Sequence, residues 1–248
     1  MQVQNRLNVN TIPFLRHGIP ANKDDATILQ DAGRVIDLAR YTVMGKSQVA
    51  VGAVTPDGGN TGDGTVTGFA LAAGPSLPIV GDYNLECIAA VANGGTFKLE
   101  DPNGVLIANN LVMTAGAGAA TAFIVAGMTF IITDGATDFI VGDKFALTIA
   151  AVGKYLPLNV AEVNGLQNVK GIYLGDGILA ATIVAGDVTD QLIMVAGNGA
   201  FVDENQIVLE NSLTLDTVLA SGDTIREALY KLGIIPQATD DISDYENA

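Results

Sequence analysis

Short apolar runs separated by turn residues constrain the fold of this chain most strongly. In residues 170–210 the runs 172–174, 178–184, 192–195 and 207–209 alternate with Gly-Asp or Gly-Asn-Gly breaks. Runs of this length, rich in β-branched residues and bounded by turn residues, are typical of buried or half-buried strands. No nucleophile with a neighbouring base and no phosphate-binding loop lies among them. The stretch therefore predicts a compact β module without catalytic machinery.

Composition limits the class of protein and the kinds of partner. Of the 248 residues, 49% are hydrophobic and 16% are charged, which predicts folded domains with real cores. The net charge of −15, from 27 acidic and 12 basic residues, argues against a nucleic-acid partner, because phosphate binding needs a basic face. Gly, Thr or Asp interrupt the apolar stretches before they could span a bilayer, so we expect no membrane partner. The first residues lack a secretory signal pattern, which predicts a protein made in the cytoplasm.

The character of the sequence changes several times along the chain. Pro13 and Pro20 exclude a continuous helix near the start, although a short helical turn over 24–29, capped by Asn22 or Asp24, fits the sequence. The tripeptide Ala-Val-Gly at 50–52 recurs at 151–153, on either side of a stretch with a different pattern. The predicted units are an N-terminal arm (1–33), a discontinuous domain (34–52 with 153–236), an inserted domain (53–152) and an acidic tail (237–248).

Regular alternation of strands and turns in the insert predicts an immunoglobulin-like β-sandwich. Its strands are predicted at 65–73, 83–91, 96–100, 105–107, 128–132 and 146–151. In the discontinuous domain, 34–51 predicts two strands broken near Gly45. One helix is predicted over 221–233, capped by Ser221 or Asp223 and ended by Gly233. The predicted fold class is therefore mainly β, with one C-terminal helix.

Few residues suggest chemistry. His17 lies on the arm, where a triad or a metal site would lack rigid support. Asp134, Asp138 and Asp143 could supply oxygen ligands to calcium, but turn residues at strand ends explain them better, and the sequence leaves this question open.

Two further groups of residues also have structural explanations. Asp203 and Glu204, with Glu210 nearby, resemble an acid–base pair only if a cleft shifts their pKa, and no aromatic wall is evident. Cys87 is expected to be a buried, unreactive thiol. The glycine-rich segment 58–64 lacks the Lys of a phosphate loop and is expected to be an exposed loop. We therefore predict no enzyme activity, no catalytic residues, no cofactor and no metal.

Several segments resemble tailed-bacteriophage head decoration (capsid cement) proteins of the lambda-type group. The resemblance rests on I-P-A-N-K-D-D-A-T-I-L-Q-D-A-G-R (19–34), on Y-T-V-M-G-K leading by way of the insert to G-K-Y-L-P-L, and on G-I-L-A-A-T-I-V-A-G-D-V-T-D (177–190). It implies a small barrel-like or tulip-like decoration domain, interrupted here by the insert. It also implies a homo-oligomer, with a trimer favoured and a dimer possible, on the outer capsid surface of a virion.

The function implied by the resemblance is to cement the major capsid protein, the expected partner, against the pressure of packaged DNA. The arm would then add a strand to a capsid sheet edge. The alternative is a β-sandwich fibre or surface module that binds a host-cell receptor. The expected capsid-binding residues are Val9, Ile12, Pro13, Phe14, Leu15, Arg16 and Ile19.

Overall fold

The structure, a computed structural model, describes residues 15–17, 22–29, 38–73, 76–114, 116, 118–174, 188–196 and 200–238. It is mainly β, as predicted. The strands are β1 (Leu15–His17), β2 (Asn22–Leu29), β3 (Val43–Pro56), β4 (Thr65–Leu71), β5 (Gly81–Val91), β6 (Gly94–Glu100), β7 (Leu106–Val112), β8 (Ala120–Val125), β9 (Met128–Thr133), β10 (Lys144–Pro157), β11 (Gly171–Tyr173), β12 (Val188–Ala196), β13 (Ala200–Asp203) and β14 (Ile234–Gln237).

The chain divides into two compact units, Gln48–Val152 and the remainder on either side of it. The chain passes from one unit to the other within the long strands β3 and β10. The predicted boundaries of the arm, the insert and the tail as separate domains stay predictions. In the described residues, no helix is long and apolar enough to span a bilayer.

In the unit formed by the flanking segments, the sheet curls back on itself. Its strand order is β2-β12-β11-β3-β10, and a parallel bridge between Tyr155 and Ile28 joins β10 to β2. A second, three-stranded sheet has the order β1-β13-β14. Helix α1 (Ile225–Lys231) buries Ile225 and Leu229 in a core that also contains Ile172 and Ile234.

The unit Gln48–Val152 is a β-sandwich. One sheet contains β3, β10, β5, β6 and β7 in that order, and the other contains β4, β9 and β8. Buried side chains from both sheets, among them Leu85, Phe97, Phe130 and Leu147, form a single core. Alternation along β9 sends Met128, Phe130 and Ile132 inward, which is the period expected of a half-buried strand.

Three local predictions are wrong. Residues 24–29 belong to β2 and not to a helical turn, because pairing with β12 along the strand outweighs an isolated turn with a costly nucleus. β3 continues through Gly45, which is a glycine because a Cβ there would collide with the backbone of Leu166 and not because the chain turns. Helix α1 is capped by Thr224 instead of Ser221 or Asp223.

Other predicted strands differ in extent. Residues 207–209 contribute only a bridge between Val208 and Thr42, and the run 178–184 lies outside the described residues. The sequence assigns no strand to the segments that form β1, β8, β13 and β14. β8 contains three alanine and threonine residues among its six, so its apolar alternation is weak in the sequence.

Candidate functional site

Of the three aspartates for which the sequence left a calcium role open, Asp138 and Asp143 hold loops in place. The carboxylate of Asp143 is 2% exposed and accepts three backbone hydrogen bonds, from Thr61 N at 2.8 Å, Gly62 N at 3.0 Å and Ile140 N at 2.9 Å. Asp138 accepts a hydrogen bond from Asn93 N at 2.9 Å. The described residues contain no group of three His, Cys, Asp or Glu side chains that could hold a metal ion.

Asp134 differs from Asp138 and Asp143 in its surroundings. It continues the inward alternation of β9, is 5% exposed, and neither carboxylate oxygen has a hydrogen-bond partner among the described residues. An ionised carboxylate in such a position is costly unless it is paired. Because Asp138 and Asp143 bind other loops, the three side chains do not form one oxygen cage.

Asp203 and Glu204, which the sequence did not favour as an acid–base pair, make structural contacts. Asp203 caps a short 3-10 helix (Glu204–Gln206) by accepting a hydrogen bond from Asn205 N at 3.1 Å. Glu204 Oε2 lies 2.6 Å from Arg226 Nη1, and that hydrogen bond is the main reason why the pKa of Arg226 is raised. The contact between Glu204 and Arg226 holds the 3-10 helix to α1.

Cys87 is buried, as predicted, and burial raises the pKa of its thiol. A raised pKa keeps the sulfur protonated near neutral pH, which makes it a poor nucleophile. The segment 58–64 is a loop, also as predicted. Asn60 fixes it by exchanging two hydrogen bonds with the backbone of Lys144, at 2.7 and 2.8 Å.

The predicted capsid-binding residues fall mostly outside the described part of the chain. Leu15 and Arg16 belong to β1, which pairs with β13 of the same chain, Leu15 lying opposite Val202 and His17 opposite Phe201. The backbone of this part of the arm therefore completes a sheet of its own unit. Its predicted contact with a partner stays a prediction.

The two outer faces of the sandwich differ sharply in charge. On the five-stranded sheet, Lys98 forms ion pairs with Glu86 at 3.0 Å and Glu100 at 2.8 Å, and Lys144 lies 3.8 Å from Glu86. Hydrogen bonds from Lys98 lower the pKa of Glu100, and those to Glu100 and Glu86 raise the pKa of Lys98. This face therefore presents a row of paired charged side chains, which is a common way to keep a sheet from aggregating.

The outer face of the three-stranded sheet has no charge. Cross-strand pairing places nine residues in three rows, and we call this set the uncharged face. Its outward side chains are exposed on β4 and β8 and half-buried on the central strand β9. From one edge to the other the rows are Thr65-Thr133-Ala120, Thr67-Ile131-Ala122 and Ala70-Thr129-Ile124.

Sequence reasoning missed this face, although one signal was present. Residues 64–81 and 102–133 contain no charged side chain in a chain of net charge −15. These two stretches supply β4, β7, β8 and β9. β7 belongs to the five-stranded sheet, and only the register shows that β4, β9 and β8 share one sheet face.

Comparison with known proteins gives no family. No protein-family model matches the chain, and no curated protein matches it. Two crystal forms of FlgL from Xanthomonas campestris are each 21% identical to it with a TM-score of 0.30, covering 48% and 50% of this chain and 34% and 33% of theirs. The flagellar junction protein FlgL from Legionella pneumophila is 13% identical with a TM-score of 0.29, covering 46% of this chain and 37% of its own. The chain thus spans about a third of the length of these structures.

These findings correct the predicted function. The similar structures are flagellar junction proteins and not capsid decoration proteins, so the prediction of a capsid cement function, with its bacteriophage and virion description, is wrong. The TM-scores of 0.29 and 0.30 are too low to give this chain a flagellar role either. The expected contact with a major capsid protein and the location on a capsid stay predictions.

Proposed function

We propose that this chain is a non-catalytic structural protein that acts by binding other protein surfaces through its sandwich unit. The observation that supports this most directly is the uncharged face. An acidic chain keeps itself soluble by charge repulsion, and a sheet face without charge gives up that protection over its whole width. Charge is depleted at the centres of protein–protein interfaces.

The chemistry of the face suits a flat protein partner. Thr, Ala and Ile side chains are short, so another sheet or strand could approach closely without burying a charge. The face has no aromatic side chain on which a sugar or a base could stack. A nucleic acid would also be repelled by the acidic chain.

The carboxylates of the sequence fit a structural role better than a catalytic one. Asp143, Asp138 and Asp203 accept hydrogen bonds from backbone N–H groups, and Glu204 pairs with Arg226. Groups used in this way stabilise loops and helix ends, and their oxygens already accept hydrogen bonds from within the fold.

The finer fold classes are part of this proposal. A decoration-type barrel is our proposal for the unit with the curled sheet. For the sandwich, immunoglobulin-like describes the two-layer architecture only. Its sheets have five and three strands, whereas immunoglobulin domains combine four strands with three or with five.

Site-specific photo-crosslinking tests the proposed function. A photoreactive amino acid placed at Thr67 or Thr129 on the uncharged face should give discrete protein adducts in the cells that make the chain. The same amino acid at Asn84, on the charged face, is the matched control and should give few. Equal adduct patterns from both faces, or none from the uncharged face, would contradict the proposal.

A further inference from the structure

We infer that two copies of this chain pair through β8, joining their three-stranded sheets across a twofold axis. This deepens the proposed function, on which it rests, by naming one partner and the contact. The inference follows from the edge that β8 leaves open, the register of its hairpin, and the distribution of charge.

β8 is an edge strand in the described structure. β9 pairs with it on one side, from Ala120↔Thr133 to Val125↔Met128, and no described strand pairs with it on the other. Ala120 and Ala122 are exposed, and Ile124 is 75% exposed. An open edge presents unpaired N–H and C=O groups, which makes it a template for another strand.

The hairpin that joins β8 to β9 fixes which backbone groups face outward. Its two turn residues, Ala126 and Gly127, have φ values of 51° and 75°, as a two-residue type I′ turn requires. The pair that closes such a turn, Val125 and Met128, is hydrogen-bonded, and bonded pairs then alternate along the ladder. The N–H and C=O groups of Ala120, Ala122 and Ile124 therefore point away from β9.

Nothing else in the described residues uses those groups. Hydrogen bonds next to this edge run from Thr114 N to the hydroxyl of Thr121 at 2.9 Å, from Ala119 N to Gly116 O at 2.8 Å and from Asp134 N to Ala119 O at 2.9 Å. None of them involves a backbone group of the three outward residues. Within the described part of the chain, the edge is thus free along the length of the strand.

β8 also lacks the devices that usually protect an edge. Of the edge strands β4, β7 and β8, the first two have register shifts against their neighbours, whereas β8 has none. Bulges, charges and prolines are the common means of preventing edge pairing. β8 contains no charged residue and no proline, and the whole stretch 103–133 contains none either.

A second copy fits this edge by symmetry. Antiparallel pairing of β8 with itself, centred on Ala122, places Ala120 of one copy opposite Ile124 of the other. Every outward N–H and C=O of the three residues then has a partner, and a small side chain lies opposite a large one. Such a contact is self-complementary, as a twofold interface must be.

The distribution of charge favours pairing of two copies through β8 over a contact between their charged surfaces. Two copies that each have a net charge of −15 repel one another, and the repulsion is least where neither presents a charge. A pair of short strands buries less than the roughly 800 Å² per partner of a stable complex. We therefore expect a weak dimer that becomes strong only when several contacts act together.

Disulfide trapping is the sharpest test. At the symmetric position, Ala122→Cys places two thiols on a hydrogen-bonded pair with Cα atoms about 5.5 Å apart, which a disulfide spans. In Ala120→Cys, the matched control, the two thiols are about four residues or roughly 14 Å apart, which is too far. Cys87 is buried and gives no background. Under mild oxidation of the full chain, we expect a covalent dimer from Ala122→Cys and none from Ala120→Cys.

Sedimentation of the unmodified protein gives the second measurement. The wild type should form dimers as its concentration rises, and Ala122→Glu should weaken the dimer at least about tenfold, because two like charges would face one another at the axis. Thr67→Glu, on the same face but the opposite edge strand, should leave it unchanged. If Ala122→Glu does not fold, the trapping experiment alone decides.

Three results would overturn the inference. The first is a wild-type protein that stays monomeric up to a concentration of about 1 mM. The second is a dimer whose affinity does not change in Ala122→Glu. The third is equal disulfide trapping of the Ala122→Cys and Ala120→Cys variants. Photo-adducts from Thr67 or Thr129 with a different protein would still support the proposed function in each case. The two proposals can therefore fail separately.

Discussion

Removing the Asp143 carboxylate should destabilise the sandwich more than removing any exposed acid in it. The side chain is 2% exposed and accepts hydrogen bonds from Thr61, Gly62 and Ile140, so it joins the 58–64 loop to the turn before β10. Asp143→Ala removes the acceptor of three part-buried N–H groups. Asp143→Asn keeps one oxygen, so it loses fewer of these bonds.

The expected size follows from the number of groups left unpaired. A buried donor without a partner costs about 1–3 kcal/mol. Because the three donors here are part-buried, water satisfies them in part, and we expect a total loss of about 3–5 kcal/mol for Asp143→Ala. That is a large part of the roughly 5–15 kcal/mol by which a domain is stable. With a urea slope of about 2 kcal/mol per molar, the midpoint should fall by about 2 M. Asp143→Asn should fall between this variant and the wild type.

Urea unfolding read by hydrogen-exchange mass spectrometry separates the two units, which tryptophan fluorescence cannot do in a chain without Trp. Asp138→Ala is the matched control, because that exposed carboxylate accepts one hydrogen bond. The loss of a single hydrogen bond should cost about 1 kcal/mol. Calcium should not raise the midpoint of the wild type. The reasoning is refuted if Asp143→Ala and Asp138→Ala unfold at the same urea concentration, or if calcium stabilises the wild type but not Asp143→Ala.

Two further changes test other contacts. Thr224→Ala removes a capping box in which Thr224 and Glu227 exchange hydrogen bonds. It should lower stability by about 1 kcal/mol, whereas Ser221→Ala should have little effect; thermal unfolding of both variants decides. Because Lys98 lowers the pKa of Glu100, the ionised form of Glu100 contributes stability above its unfolded pKa, and that contribution is lost as the pH falls through the lower folded value. Glu100→Gln should therefore lose less stability than the wild type between pH 7 and pH 3, and unfolding midpoints that fall equally in both would contradict this.

Much of the sandwich could be predicted because its strands are bounded by strong turn residues. The strands at 83–91 and 96–100 flank a short turn, and Asp101 holds the next turn by accepting hydrogen bonds from Asn103 N and Val105 N, both at 2.8 Å. Local chemistry of this kind is visible in a sequence. β8 and β2 could not be found in the same way, because their strand character depends on pairing with β9 and β12, which are known only from the register.

The helix shows the same limit at the scale of one residue. A run with apolar residues on one face and Gly233 at its end predicted α1 correctly, but the predicted caps were Ser221 and Asp223. The structure selects Thr224 because Glu227 lies three residues later and its side chain accepts a hydrogen bond from the Thr224 N–H, which completes a capping box. The spacing was present in the sequence, and the reciprocal bond distinguishes Thr224 from Ser221 and Asp223.

The functional prediction failed for a physical reason as well. The segments that carried the resemblance are short stretches of β-type sequence without a catalytic or binding motif, and a fold pattern alone does not determine function. To predict a functional surface, one must know which side chains face outward together. In this chain that information lies in what is missing: charge is absent from β4, β8 and β9, and the register brings those strands into one face. An uncharged stretch in an acidic sequence therefore becomes meaningful only after the strand order shows that it is one surface with an open edge.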